Sequence, residues 1–308
     1  MITFNRRETM INWKFKIFLP IFICLFSNSL LGMDTLKFGI LPVIDTLPLQ
    51  VAKHNAYFKN QNLDVELIRF SSAMDRNSAM HAGQLHGFFG DIPATLLLIK
   101  NSVPLKLLTV SYRTTPGQQM FGLLLSPKSK SKTGGPLTVA ISRGSIIEYL
   151  LDTIKDQYPI SNYQIVPREI KQMPIRMQML ASSQIDSALL PEPLLTLAKA
   201  KGSKLIISDE NLNLPLTILN IHQNQFHLKD RFLKAYSQAV EELNKNSSQY
   251  KSLMIKTCRI PKHLASQFIK YKFPLPQLPT EQEVNAVQNW MLQKNMIKQT
   301  ISYQKLTQ

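Results

Sequence analysis

A chain of 308 residues, 44% of them hydrophobic and 18% charged, can bury one large core or two modest ones, which excludes a disordered or fibrous class. The net charge of +16 is spread without long runs; only Lys128, Lys130 and Lys132 cluster, and no basic stripe interleaved with aromatics points to a nucleic acid. Two cysteines, Cys24 and Cys258, are too few for a disulfide framework, a Cys-rich zinc site or an iron–sulfur cluster.

Residues 1–32 read as a secretory signal. Lys14 and Lys16 precede the apolar run IFLPIFICLF, and small or polar residues (Ser27, Asn28, Ser29, Gly32) follow. Pro20 and the brevity of the run argue against a spanning helix. Translation from Met1 or from Met10 and cleavage after Ser29 or Gly32 all fit, and the product is expected outside the cytoplasm, in a periplasm where there is one.

Leu36–Leu41 is the first predicted strand, followed by a loop opening a helix over Leu49–Phe58. Leu63, Val65 and Leu67 alternate with polar residues in a second strand, Leu63–Phe70, and Ser71 and Ser72 end it. Helix Met74–Ala82, strand Leu85–Phe89, helix Ile92–Lys100 and strand Leu105–Tyr112 follow. Such alternation builds a mainly parallel sheet with helices on both faces. Thr114–Gln119, with Pro116-Gly117, reads as a crossing to a second lobe. There Phe121–Leu125 is a strand, Ser126–Pro136 a loop, and a second unit runs from Leu137 to Ile207.

That second unit repeats the first. Gln84 answers Gln184, Leu85 answers Ile185, Phe89 answers Leu189 and Pro93 answers Pro193, each 100 residues on. Upstream, Leu36–Ile40 answers Leu137–Ile141 at an offset of 101. An ordered set of matches marks two copies of one strand–helix unit. Asn211–Pro215 breaks the pattern, and Leu216–Ile221 is expected to cross back. Helices over Lys229–Asn244, Tyr250–Thr257, Pro261–Lys270 and Glu281–Lys294 would then complete the first lobe, while the last dozen residues carry little fold information. The expected division is residues 33–118 with 220–308 as lobe one and 119–219 as lobe two.

Ligands of open α/β sheets bind beyond the carboxyl ends of the strands, where loops become helix N-termini. Five loops qualify: Pro42–Leu47, Ser71–Asp75 and Gly90–Pro93 from one lobe, Ser142–Ser145 and Pro191–Pro193 from the other. The candidates on them are Pro42, Asp45, Ser71, Ser72, Asp91, Ser142, Arg143, Gly144, Ser145 and Glu192. Gly144 allows a tight turn, while the loop amides and Arg143 could hold an anion. Ser142 or Ser145 could equally be a plain N-cap. Asp45, Asp91 and Glu192 suit either a ligand's donor groups or the dipole of the helix they precede. Tyr112 and Tyr149 could stack on a ring or pack at a hinge. His54, His81 and His86 are not at metal-ligand spacing, and no nucleophile elbow, phosphate loop, dinucleotide fingerprint or zinc motif occurs. Neither metal nor cofactor is expected.

The run LKFGILPVIDTLPLQVAKHNAYFKNQNLDVELIRFSSAMDRNSAMHAGQLHGFFGD resembles the substrate-binding proteins of nitrate/sulfonate/taurine-type ABC importers, including the thiamine-pyrimidine-precursor group. Gly39, Pro48, Ala52, Tyr57, Phe58, Leu63, Asp64, Val65, Gly83, Gly87 and Asp91 carry the likeness, and LLPEPLLTLAKAKGSKLI extends it into the second unit. The resemblance implies a two-lobed type II periplasmic binding protein: two mixed sheets flanked by helices, a hinge of two crossovers, and closure of the lobes on a ligand. It further implies a monomer without catalysis that delivers a small organic molecule, a sulfonate-like anion or a vitamin-like heterocycle, to the permease and ATPase of an importer. The first loop, Pro42-Val43-Ile44-Asp45, departs from the aromatic and Asn/His-containing loop of pyrimidine-precursor binders, and two cysteines cannot supply the iron-binding segment of the related pyrimidine synthase. A lyase or precursor synthase on the same fold is the alternative. The sensing half of a transcription regulator is disfavoured by the signal segment.

Overall fold

The structure, a computed structural model, describes residues 32–129, 134–157 and 163–308. The secretory signal expected over residues 1–32 lies outside them except for Gly32, as do Lys130 and Lys132.

Strand β1 (Asp34–Ile40) pairs in parallel with β2 (Leu63–Arg69) along its whole length. Between them the single helix expected over Leu49–Phe58 is two, α1 (Leu47–His54) and α2 (Tyr57–Asn60). Ala56 takes a left-handed conformation at φ 58°, and the break lets the Asn55 side chain donate to the Tyr57 and Tyr250 hydroxyls. Helix α3 (Ala73–His81) then leads to β3 (Gly87–Gly90), which lies parallel to β1. Gly87 is needed there for space, because a Cβ would sit 2.6 Å from the Asn220 carbonyl and from the Phe38 ring. Helix α4 (Ile92–Lys100) starts where the sequence places it: Asp91 accepts from the Ala94 N–H at 2.8 Å, and Pro93 occupies the first turn. Strand β4 (Leu105–Arg113) ends this unit.

The chain then crosses into β5 (Phe121–Leu125) and repeats itself as β6 (Pro136–Ile141), α5 (Ile146–Gln157), β7 (Gln164–Glu169), α6 (Met173–Ala181), β8 (Ser187–Pro191), α7 (Leu194–Ala200) and β9 (Lys204–Ser208). It returns as β10 (Pro215–His222), so the return crossing ends before residue 215 and the expected lobe boundary at 219 falls inside a strand. The strand orders are β2-β1-β3-β10-β4 and β7-β6-β8-β5-β9. In each sheet three parallel strands are followed by one antiparallel strand taken from a crossing. The two like units expected from the repeat, and the two mixed sheets of the type II periplasmic-binding architecture that the resemblance implies, are therefore observed.

The two crossings are tied together. The Thr114 N–H donates to the Leu214 carbonyl, and the Leu214 N–H to the Thr114 hydroxyl. Asp209 accepts from the Met120 and Phe121 amides at 2.9 and 3.0 Å and from the Tyr112 hydroxyl at 2.9 Å. Tyr112 thus packs where the two crossings meet. Burial, against the pull of these hydrogen bonds, pushes the Asp209 carboxyl up to about 6.

Residues 33–308 form one compact unit. Helix α8 (Lys229–Asn246) packs on α1 and α2, with Phe232 between Phe38 at 5.2 Å and Phe58 at 5.0 Å. Helix α9 (Lys251–Cys258) follows, and a 3-10 turn, Lys262–Phe268, replaces the helix expected over Pro261–Lys270. A capping box between Thr280 and Glu283 opens α10 (Glu281–Gln293). This helix does more than complete the first lobe. Its Trp290 indole donates to Asp152 on α5 at 2.9 Å and meets Tyr149 edge-on at 5.2 Å, and Lys294 reaches Asp152 at 2.7 Å. The last dozen residues are also structured, as α11 (Tyr303–Thr307) against β4. Among the described residues, no helix is long and apolar enough to cross a membrane.

Candidate ligand-binding site

At the carboxyl ends of β1, β3, β6, β7 and β8, loops from both sheets enclose a cavity of about 50 Å³, with Thr217 of β10 on its wall. Apolar side chains, among them Leu41, Val43, Phe89, Phe121, Ile147 and Met173, make up most of its wall. A wider hollow of about 440 Å³ adjoins it and shares Ala73, Ser142, Ser145 and Lys171.

The first loop enters as a turn rather than a helix. The Thr46 hydroxyl donates to the Val43 carbonyl at 2.8 Å, folding Ile44–Thr46 tightly and presenting Asp45 to the cavity. Asp45 is 2% exposed. Its Oδ2 accepts from the Thr217 hydroxyl at 2.8 Å, which in turn accepts from Ser111 at 2.9 Å, while its Oδ1 has no partner. Burial pushes this carboxyl up to about 7, the Thr217 hydrogen bond opposing and the nearby Asp209 charge adding.

Asp91 caps α4 from the end of β3 and also faces the Ile146 amide at the start of α5, so it links the first sheet's site loop to the second sheet's helix. Burial raises its carboxyl, while Arg76 and the two amides pull the other way. Arg76 is 1% exposed and donates to the Phe89 carbonyl at 2.7 Å and to Asn77. Its guanidinium lies 4.8 Å over the Phe88 ring. Burial lowers it to about 10, so it stays charged at neutral pH.

On the opposite wall, Ser145 donates to the Ser142 carbonyl at 2.8 Å and accepts from the Ile147 amide at 3.2 Å, capping α5. The Ser142 hydroxyl accepts from Arg176. Gly144 has φ +62°, a left-handed conformation that favours glycine, and its amide donates to Glu148 at 2.8 Å. A Cβ there would approach Leu97 of α4 to 3.0 Å.

Of the ten sequence candidates, Asp45, Asp91, Ser142 and Ser145 line the inner cavity, and Arg143 and Gly144 join the two serines on the outer hollow. Arg143 is 55% exposed at its side chain and lies 3.6 Å from Glu148. Pro42, Ser71, Ser72 and Glu192 line neither space. Ser72 caps α3 through the Asp75 amide. Glu192 is buried, accepting from the Thr196 amide and hydroxyl at 2.9 and 2.7 Å and from Tyr271 at 3.2 Å; burial pushes it up to about 7. Tyr149 packs on Trp290 away from the cavity, and His81 lies on the outer hollow. Among the described residues no group of side chains is arranged to hold a metal ion.

Sequence reasoning missed Arg76, Lys171, Met173 and Thr217 on the wall, and Arg176 behind it. The repeat itself held a signal: Arg76 and Arg176 are 100 residues apart and stand eight residues before Gln84 and Gln184. The same offset carries the Ser71–Asp75 loop onto Lys171–Ile175, the sixth strand-end loop.

No protein-family model matches this chain, and no curated protein matches its sequence. Solved structures do match. The ligand-binding component of an ABC-type import system from Staphylococcus aureus, with zinc bound, has a TM-score of 0.74 at 14% identity, covering 89% of this chain and 96% of the other. The alkanesulfonate-binding protein SsuA from Xanthomonas axonopodis pv. citri, bound to MOPS, has 0.72 at 13%, covering 89% and 98%. The periplasmic nitrate-binding protein NrtA from Synechocystis PCC 6803 has 0.64 at 12%, covering 89% and 84%. At such identities the likeness is one of fold alone, the fold that these binding proteins share.

Proposed function

We propose that this chain is an exported solute-binding receptor that delivers a small organic ligand to the permease and ATPase of an ABC importer. The observation that carries the reading is the cavity walled by strand-end loops from both sheets, since a ligand there touches both halves and favours their closed arrangement. The hinge lies in the two tied crossings, with residues 33–118 and 220–308 forming lobe one and 119–219 lobe two, adjusted so that all of β10 joins the first. The protein acts as a monomer outside the cytoplasm. Two ligand classes follow from the walls: a sulfonate-like anion drawn by Arg143, Lys171 and the loop amides, or a vitamin-like heterocycle whose donors meet Asp45 or Asp91.

An enzyme on this fold working by covalent catalysis through a thiol would need an activated cysteine. Cys258 does not supply one, because burial pushes its thiol up to about 12 and it donates to the Val43 carbonyl at 3.4 Å. A DSZB C27S mutant in complex with biphenyl-2-sulfinic acid shares the fold at a TM-score of 0.64 and 13% identity. The test is thermal unfolding of residues 33–308 against sulfonates, nitrate, taurine, thiamine precursors, riboflavin and amino acids. A ligand at 100 times its dissociation constant adds about 2.7 kcal/mol. Stoichiometric stabilisation without turnover supports a receptor; product formation overturns it.

A further inference from the structure

The inner cavity holds a carboxylate that the protein leaves half satisfied. Asp45 is 2% exposed and lines the cavity, and while Oδ2 takes the Thr217 hydroxyl, Oδ1 has no donor. A buried carboxylate normally meets several N–H or O–H groups or a cation. Here no cation serves it. Arg76, the buried cation on the same wall, spends its donors on the Phe89 carbonyl and Asn77 and acts on Asp91. The other groups that act on or feel Asp45 are its own backbone amide, which favours the charged form, Asp209, whose charge is repulsive, and the buried hydroxyls of Tyr112 and Tyr236 and thiol of Cys258, all neutral. Lys171 is an exposed residue and lines the outer hollow as well, where Arg143 pairs with Glu148.

We propose that the cavity selects a ligand presenting a protonated amine, bound through the free Oδ1 of Asp45, with an apolar body against Val43, Phe89, Phe121 and Met173. The inference rests on the receptor reading of this cleft and decides between its ligand classes. An anion pushed inward from the basic rim meets Asp45 and then Asp91, whose charge is already balanced by Arg76 and by the amides of Ala94 and Ile146. A cation finds its counter-charge. Low dielectric strengthens that pairing and penalises the same carboxylate when left alone. Burial holds the empty site's carboxyl up to about 7, so an ammonium, which keeps its proton far above neutrality, must displace the carboxyl's proton.

The experiment is calorimetric titration of the protein with primary alkylamines from ethylamine to hexylamine and with alkanesulfonates of the same chain lengths. Amines are expected to bind and sulfonates not, and Asp45→Asn is expected to weaken amine binding at least tenfold. In the wild-type protein, amine affinity is expected to fall tenfold for each pH unit below about 7 as the carboxyl regains its proton. The pH profile stands as the readout even where the variant fails to fold. Sulfonate binding that is insensitive to pH overturns the amine proposal and leaves the receptor reading intact. Amine binding unchanged in a folded Asp45→Asn protein, or a flat profile from pH 5 to 8, also overturns it. Binding of neither series overturns it too, and the broader solute panel then tests the receptor reading separately.

Discussion

The two copies of the repeat place an arginine at the same offset and a carboxylate in the same turn, Asp91 two residues and Glu192 one residue before its proline, and use them differently. In the first, Arg76 and Asp91 both line the cavity. In the second, Arg176 is wholly buried and donates to the Ile170 and Leu189 carbonyls and to Ser142, while Glu192 is consumed by Thr196 and Tyr271. The Arg76–Phe89 bond and the Arg176–Leu189 bond span the same 13 residues, at 2.7 and 3.0 Å. A shared scaffold bond thus persists in both copies, whereas the charge around it faces the ligand in one and stiffens the frame in the other. What separates them is the set of neighbours: Ser142 and Ile170 take the spare donors of Arg176, whereas the adjacent Asn77 side chain takes those of Arg76.

That contrast predicts unequal costs. Arg176→Met leaves the buried Leu189 carbonyl and the half-buried Ile170 carbonyl without their donor and is expected to lower the unfolding free energy by about 3 kcal/mol, read by urea denaturation. Arg76→Met strands the Phe89 carbonyl and leaves buried Asp91 without its cation, so it should cost comparable stability and, unlike Arg176→Met, ligand affinity as well; equal affinity losses would erase the distinction. Carboxylates with raised values provide the next effect. Asp45, Glu192 and Asp209, held at about 7, 7 and 6, bind protons in the folded state that the unfolded chain has already released. The stability these groups contribute should therefore be full below about pH 4, be lost as pH rises toward 7, and level off above it, and melting temperatures across that range check the sign. Asp45→Asn should flatten part of the slope.

A smaller effect sharpens the comparison at the meeting of the halves. Gly144→Ala places a Cβ 3.0 Å from Leu97 and forces alanine to φ +62°, so a loss of about 1–2 kcal/mol is expected together with weaker ligand binding. The smallest belongs to Arg143, the residue in the sequence motif best suited to an anion. Half exposed and 3.6 Å from Glu148, it should contribute less than about 1 kcal/mol, and Arg143→Ala should leave the melting temperature within about a degree or two.

Much of the frame was legible because periodicity and repetition are collective signals. The offset of Gln84 and Gln184 announced two like units and Asp91-Ile92-Pro93 announced the start of α4, whereas the return crossing expected over Leu216–Ile221 is part of β10. Half-buried side chains and turns were harder. Asp45 and Asp91 were readable as helix-start carboxylates, but nothing local separates them from Glu192, which has the same chemistry and faces away from the cavity. A single Arg in a short helix reads as a surface residue, so Arg76 and Arg176 were hidden until the repeat aligned them. The hold of α10 on α5 could not be read either, since Trp290 and Asp152 are 138 residues apart and neither belongs to a pattern.

The central claim is that ligand binds between the two sets of strand-end loops. Amide hydrogen exchange, with and without the first panel compound that raises the melting temperature, tests it most directly. The account predicts slowed exchange in 41–46, 90–94 and 142–147 together, from both sheets at once. Protection confined to one sheet's loops, or to a surface away from all three, would contradict it.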